Sequence, residues 1–205
     1  MTLHKNLASA LKERESVTAL KLTLKESSLP LELFHFPNLK ELYLEATALT
    51  DFPDTLTAFN ELKVFQIRAP LFKGSLVELF RLPKLENLKA LETPLHPLRL
   101  SLGGTRAPLK FLTLKGCELK ELPLEFGELT TLEEIYLPQN KLTALPVSFS
   151  DLKKLKRLNL DSNLLTVFPV ALTKLPQLKH VSMDNNSFSE EERERIQREF
   201  HLTIQ

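Results

Sequence analysis

The chain has 205 residues, of which 42% are hydrophobic, and its 27 basic side chains nearly cancel its 26 acidic ones. This length suits one sizeable core, and the balanced charge argues against a protein that binds nucleic acid or an anionic membrane. Cys117 is the only cysteine, which excludes an internal disulfide and any zinc site that needs two thiolates.

Residues 1–16 are predicted to form an N-terminal capping helix, with Thr2 as a candidate N-cap. Four apolar residues fall at helical spacing: Leu3, Leu7, Ala10 and Leu11. We expect this stripe to cover the open end of a repeat core rather than to bind a partner or a membrane. The early charges and the absence of a long apolar run predict neither a signal peptide nor a membrane span, so a cytoplasmic protein is expected.

From residue 17 to residue 188 the sequence repeats a pattern of about 23 residues. The copies begin at Val17, Leu39, Leu62, Leu85, Leu109, Leu132, Leu155 and Leu178. Their successive spacings are 22, 23, 23, 24, 23, 23 and 23 residues. A period this constant indicates a solenoid of about eight stacked repeats.

The most regular copies occupy residues 132–154 and 155–177. Each begins with alternating apolar and polar residues, which predicts a short strand that points Ile135 and Leu137 inward and Glu134 and Tyr136 outward. Apolar residues at three- to four-residue steps follow, and they predict a turn and a loose helical segment that folds back over the same core. Stacked neighbours bury both rows, which one repeat cannot do alone.

These copies, for example LEEIYLPQNKLTALPVSFSDL and LKRLNLDSNLLTVFPVALTKL, resemble the leucine-rich repeat in its 23-residue subclass, LPxxhxxL. The resemblance covers about 170 residues. It implies an α/β fold, a right-handed solenoid or horseshoe with short parallel strands on its concave side, capped by a helix at each end. It also implies one domain over residues 1–205 and a role in binding other macromolecules.

The ninth position of the repeat differs most between copies. From the second repeat to the eighth it reads Thr47, Pro70, Thr93, Cys117, Asn140, Asn163 and Asn186. An asparagine amide there can bond to backbone groups that the turn leaves unpaired. We therefore predict regular C-terminal repeats and a looser N-terminal half. At this position Cys117 is predicted to be a buried structural thiol rather than a reactive one.

The middle of the chain departs furthest from the repeat. Residues 70–83 lack the Leu-Pro pair that the regular copies contain. Residues 94–108 belong to the repeat that begins at Leu85, which has 24 residues instead of 23. In the second segment, apolar residues alternate with polar ones before Gly103 and Gly104, which predicts an extra strand followed by a turn. The strand would contain Leu98, Leu100 and Leu102. Two readings stay open, a tolerated surface insertion and a second contact surface; the glycines lack the residues of a phosphate-binding loop.

Residues 189–205 are predicted to form a C-terminal cap. Ser189 and Glu192 have the spacing of a capping box, and acidic residues occupy the first turn of the helix that follows. Ile196 and Phe200 lie one turn apart and are expected to seal the last repeat. The last four residues, 202–205, are expected to add one short strand.

No arrangement of residues typical of catalysis is found. The five histidines are scattered without metal-ligand spacing, so no metal site is predicted. No serine, threonine or cysteine nucleophile has a recognisable histidine partner in the pattern. We therefore expect no cofactor and no enzymatic activity.

The outward side chains of the predicted strands come from the third, fifth and seventh positions and begin with Ala19, Lys21 and Thr23. The candidate partner-binding residues on this face are Tyr43, Val64, Arg68, Lys89, Leu91, Phe111, Lys115, Tyr136, Arg157 and Asp161. The three aromatic residues among them are predicted to be anchors. The cations Arg68, Lys89 and Lys115 are predicted to select an acidic patch on the partner.

The sequence thus predicts a monomeric, non-catalytic module that binds a protein or peptide on its concave face. Two alternatives stay open. One is the recognition domain of a larger enzyme or bacterial effector, for example of the ubiquitin-ligase type. The other is a structural or self-assembling scaffold that acts through the irregular middle segment.

Overall fold

A computed structural model describes residues 3–95, 97–100 and 106–203, and within them the chain forms one parallel sheet of nine strands in sequence order. The strands are β1 (Leu3–His4), β2 (Ala19–Leu24), β3 (Glu41–Ala46), β4 (Val64–Arg68), β5 (Asn87–Leu91), β6 (Phe111–Lys115), β7 (Glu134–Tyr136), β8 (Arg157–Asn159) and β9 (His180–Ser182). Strands β2 to β9 each begin at the third position of a predicted repeat. The structure is therefore a leucine-rich-repeat solenoid.

Strand pairing joins equivalent positions of neighbouring repeats. Along the fifth position, for example, Tyr43 pairs with Gln66, and Gln66 pairs with Lys89. Since successive side chains of a strand point to opposite faces, this register places every fourth and sixth position on the core side. Leu42 and Ile135, both in the fourth position, are accordingly fully buried.

The return path of most repeats contains one turn of 3-10 helix rather than an α-helix. These segments are Leu31–His35, Asp54–Ala58, Leu79–Arg81, Leu124–Glu128, Val147–Asp151 and Val170–Lys174. Phe126 and Phe149 project from two of them into the core, where their rings stack with centroids 5.8 Å apart. The apolar residues at three- to four-residue steps thus form the second wall of the core.

The asparagines of the ninth position join neighbouring repeats. The side-chain oxygen of Asn140 accepts hydrogen bonds from the backbone N–H groups of Cys117 at 3.0 Å and Leu119 at 3.1 Å. Its side-chain nitrogen donates to the carbonyls of Leu114 at 2.7 Å and Leu137 at 2.9 Å. Both later asparagines, Asn163 and Asn186, make the same kind of bridge, so the predicted ladder is confirmed.

The expectation of a looser N-terminal half is wrong for the strands themselves. Strands β2 to β6 have five or six residues, whereas β7 to β9, in the repeats with asparagine, have three. Where asparagine is absent, backbone pairing continues further, as in the bond from the Thr47 N–H to the Leu24 carbonyl. The asparagine amide takes over backbone groups that a longer strand would pair.

The N-terminal segment differs from the single helix predicted over residues 2–15. It forms strand β1, which pairs with β2, and then the short helix α1 (Leu7–Leu11), whose N-cap is Asn6. Thr2 lies outside the described residues. Ala19, expected on the exposed face, is fully buried beside β1. Four apolar residues at helical spacing were too few to distinguish one helix from a strand followed by a single turn.

The middle segment buries Leu98 and Leu100 without forming a strand over residues 97–100. Leu98 and Leu100 are buried and Arg99 between them is exposed, as the alternation predicted. The sheet, however, passes directly from β5 to β6 and offers this segment no strand to pair with. The predicted continuation of the strand and the turn at Gly103 and Gly104 lie outside the described residues.

Helix α2 (Glu190–Phe200) follows the last repeat, and the hydroxyl of Ser189 accepts a hydrogen bond from the Glu192 N–H at 3.1 Å. The Glu192 carboxylate does not complete the predicted capping box, because it accepts the Phe168 N–H at 2.8 Å instead. Ile196 is fully buried, and Phe200 stacks on Phe168 with centroids 4.0 Å apart. No strand forms at residues 202–203, and residues 204–205 lie outside the described part.

We expect Asn163→Ala to lower the free energy of unfolding by about 2–4 kcal/mol, because buried backbone groups of two repeats lose their partner. Urea unfolding followed by circular dichroism measures the change. Asn60→Ala, at an exposed turn, is the control and should change stability by less than about 0.5 kcal/mol. Equal effects of the two substitutions would contradict a structural role for the ladder.

Candidate partner-binding face

The third, fifth and seventh positions of β2 to β9 form one surface, here called the strand face. The ten candidate residues named from the sequence all occupy these positions. Of these ten, Phe111, Lys115 and Arg157 are exposed and the others are partly buried. Strand pairing brings residues from distant repeats into rows, such as Val64, Asn87 and Phe111 along the third position.

The two tyrosines of the strand face are held in the same way. Tyr43 donates its hydroxyl hydrogen to Glu41 at 2.9 Å, and Tyr136 donates to Glu134 at 2.8 Å. Burial, followed by the hydrogen bond to Glu41, raises the pKa of Tyr43 above its ordinary value. The pKa of Tyr136 is raised first by its bond to the Glu134 carboxylate. Both rings are thus oriented by an acidic residue on their own strand.

Arg68 is already engaged within the chain. Its guanidinium contacts Glu45 at 2.7 Å on the preceding repeat, and its Nε donates to Glu92 at 2.9 Å on the following repeat. The hydrogen bond from Arg68 lowers the pKa of Glu92 and raises that of Arg68 above its ordinary value. Sequence reasoning missed Glu92, because it occupies the eighth position of its repeat and lies outside the alternating outward rows.

The pairing of Arg68 leaves two other cations in the middle of the face. Neither Lys89 nor Lys115 has a carboxylate within 4.0 Å in the described part of the chain, although Lys115 contributes to the low pKa of Glu92. These two lysines, rather than Arg68, therefore carry the available positive charge in the middle of the strand face. The pair Lys89 and Lys115 is here called the basic centre.

The C-terminal end of the strand face is occupied by internal hydrogen bonds. The carboxylate of Asp161 accepts the Asp184 N–H at 2.9 Å and the side-chain amide of Asn159 at 2.7 Å. Arg157 lies 3.8 Å from Glu134 on the neighbouring strand. Asp161 consequently contributes to the order of these repeats, and its acceptor capacity is largely used.

A shallow cavity that the sequence did not reveal opens where β3 to β6 begin. It has a volume of about 260 Å³ and lies between Val64 and Phe111. Asn87 lies between these two residues in the same row, and Lys40 and Lys63 contribute to the lining. The side-chain oxygen of Asn87 is buried and accepts no hydrogen bond within the described residues.

A second apolar surface lies on the 3-10 segments. Leu124, Val147 and Val170 occupy the same position in three consecutive repeats, directly after a proline, and are 63%, 79% and 69% exposed. A nearby groove of about 570 Å³ contains Val167 and Lys174 in its walls. An apolar residue directly after the Leu-Pro or Phe-Pro pair is the sequence signal that was overlooked.

Three features outside the strand face concern metal binding, the single thiol and membrane spanning. No three His, Cys, Asp or Glu side chains among the described residues are grouped so that they could hold a metal ion. Cys117 is fully buried and its thiol lies 3.3 Å from the Ala90 carbonyl oxygen, so the predicted structural role is confirmed. Burial raises the pKa of this thiol to about 12. No helix in the described ranges has the length and apolar character required to span a bilayer.

Comparison with known families gives one match. A family model described as leucine rich repeat matches residues 107–165 and, in a second alignment, residues 130–188. These are the repeats in which the period and the asparagine ladder are most regular. No curated protein matches the sequence significantly.

Solved structures with the same fold cover most of this chain. The Leptospira interrogans LRR protein LIC12759 is 26% identical, with a TM-score of 0.58, and the match covers 92% of this chain and 42% of that one. Listeria monocytogenes InlP is 24% identical, with a TM-score of 0.61 and coverage of 86% and 58%. The plant peptide hormone receptor RGFR1 in complex with RGF2 is 16% identical, with a TM-score of 0.53 and coverage of 90% and 31%. The chain thus spans less than two thirds of each of these proteins.

The raised pKa of Cys117 predicts a loss of stability in alkali. The neutral thiol contributes its full stabilisation below about pH 9, and the contribution falls as the pH rises towards 12, since the unfolded state ionises first. Between pH 8 and pH 10.5 the free energy of unfolding of the wild type should fall by about 2 kcal/mol more than that of the Cys117→Thr variant. Urea titrations at both pH values test this, and parallel losses would contradict it. Threonine is the matched residue because Thr93 occupies the same position one repeat earlier.

Proposed function

Because the chain is a leucine-rich-repeat protein, we propose that its strand face binds a protein or peptide partner and that the chain catalyses no reaction. The observation that carries the proposal is the position of Phe111, which is 37% exposed on a paired strand in the middle of the sheet. Lys89 lies on the strand before it and Lys115 on its own strand. Aromatic side chains beside charged ones are typical of the residues that dominate protein interfaces.

Binding on this face is a docking of preformed surfaces. Tyr43, Phe111 and Tyr136 are the apolar anchors, and the hydrogen bonds of the two tyrosines reduce the rotamer freedom that binding would otherwise restrict. Lys89 and Lys115 attract acidic residues of the partner and increase the rate of association. Arg68 instead binds Glu45 and Glu92, so these two carboxylates lie beside the basic centre.

The fold has a precedent for this role in the plant receptor that was solved with its peptide hormone. At 16% identity the likeness supports the architecture alone, and the partner proposed here is defined by the side chains of this chain. The same proposal includes three further statements. The protein is a monomer, it acts in the cytoplasm, and it binds its partner on the predicted concave side of the solenoid.

A self-assembling scaffold is the second candidate, and one observation favours it. The exposed row of Leu124, Val147 and Val170 offers apolar surface that a second copy could cover. Light scattering over a hundredfold range of concentration distinguishes the two candidates. A mass that rises with concentration supports assembly, whereas a constant monomer mass contradicts it.

Replacing the three anchors, Tyr43, Phe111 and Tyr136, by alanine should abolish capture of the physiological partner and lower stability only modestly, because each side chain is at least partly exposed. The control replaces Leu124, Val147 and Val170 by alanine, which removes exposed apolar area from the 3-10 segments. Wild type and both variants are used as bait, and proteins lost only from the anchor variant are purified and their affinity measured. If the folded anchor variant still captures the same proteins, or if the control loses them as well, the strand face is not the binding surface.

The charge of the face should affect mainly the rate of association. With a purified partner, Lys89→Glu combined with Lys115→Glu should slow association about 10- to 100-fold at low salt, and less at high salt. Lys120→Glu combined with Lys174→Glu makes the same charge change away from the strands and should have little effect. Stopped-flow kinetics measures both, and an equal effect of the two pairs would contradict a specific role for the basic centre.

A further inference from the structure

We infer that the cavity between Val64 and Phe111 is a subsite for one tyrosine side chain of the partner, next to an acidic residue. This inference rests on the proposed function, because the cavity belongs to the strand face. It assigns a ligand chemistry to residues that the sequence did not single out, namely Asn87, Lys40 and Lys63.

The size and walls of the cavity suit one planar side chain. Pockets for drug-sized ligands typically have volumes of about 300–1,000 Å³, whereas this one has about 260 Å³. Val64 and Phe111 lie on opposite sides of Asn87 in the sheet, so an inserted ring would contact an aliphatic and an aromatic wall. Phe111 is exposed enough to offer its ring to an offset or edge contact.

Asn87 lies beneath the cavity, and its side chain carries an acceptor that lacks a donor. Within the described residues, nothing donates a hydrogen bond to the side-chain oxygen of Asn87, and this oxygen is shielded from solvent. The terminal amide torsion of asparagine is soft, and we expect the amide to rotate about it and present this oxygen to a group that enters the cavity. A ligand with an apolar body can pack between the two walls, and a donor at its far end can bond to the Asn87 oxygen. The phenol side chain of tyrosine has both features.

The charge around the cavity favours an acidic neighbour of the tyrosine over a basic one. Of the two acids in the lining, Glu86 is neutralised by Lys110 at 3.0 Å, whereas Glu41 accepts the neutral Tyr43 hydroxyl at 2.9 Å and keeps its negative charge. Lys40 and Lys63 have no carboxylate within 4.0 Å in the part of the chain that the structure describes. The two lysines outnumber the one carboxylate that no cation neutralises, so the rim has a small positive excess, and a carboxylate beside the tyrosine would lie against these lysines.

Matched small probes test the inference without the physiological partner. N-acetyl-tyrosinamide and N-acetyl-phenylalaninamide are titrated into ¹⁵N-labelled protein, and the signals of Val64, Asn87 and Phe111 are followed by NMR. The tyrosine probe should bind about fivefold more tightly, because only it supplies a donor for Asn87. Asn87→Leu should remove the difference in affinity between the two probes, and Phe111→Ala should weaken the binding of both. If Asn87→Leu unfolds at a lower urea concentration than wild type, Asn87→Ala is used in its place.

A second pair of probes tests the rim. N-acetyl-glutamyl-tyrosinamide should bind more tightly than N-acetyl-lysyl-tyrosinamide, and Lys40→Ala combined with Lys63→Ala should remove that preference. Equal binding of the tyrosine and phenylalanine probes to the wild type, or shifts confined to other parts of the chain, would overturn the subsite. A different result contradicts the proposed function, namely that the anchor variant still captures the partner.

Discussion

The hydrogen bonds between neighbouring repeats, from backbone pairing and from three side-chain amides, determine much of this structure. Each turn after a strand leaves backbone N–H and C=O groups that water does not reach, and such groups need partners. Asn140, Asn163 and Asn186 supply these partners by bonding to their own repeat and to the one before it. These three asparagines fix the register of the last four repeats, and backbone pairing along the longer strands continues the same register through the earlier ones. That register decides which side chains share a surface.

The register turns a linear pattern into a two-dimensional one. Positions 23 or 24 residues apart become neighbours, so Glu45, Arg68 and Glu92 meet although they belong to three repeats. The same constraint places Lys89 and Phe111 on adjacent strands and opens the cavity over Asn87. The binding face therefore depends on residues that have no local relation in the sequence, and its charge depends on which of them neutralise each other.

The repeat period predicted the fold closely, because one rule places the third residue of every copy at the start of a strand, from Ala19 to His180. The non-repetitive ends were harder: β1 and the short helix α1 have no internal copy to compare with. At the candidate site, the rows of Tyr43 and Phe111 were predictable from alternation, but the pairing of Arg68 with Glu92 was not. That contact depends on side-chain reach across strands, as does the empty acceptor of Asn87.

The most direct test of the account is to map a purified partner onto the chain by NMR, using backbone amide signals of the ¹⁵N-labelled protein. The account predicts that the largest changes on binding fall on β4 to β7, around Lys89, Phe111 and Tyr136, while the 3-10 segments change little. Changes centred on Val147 and Val170, with β4 to β7 unaffected, would contradict it.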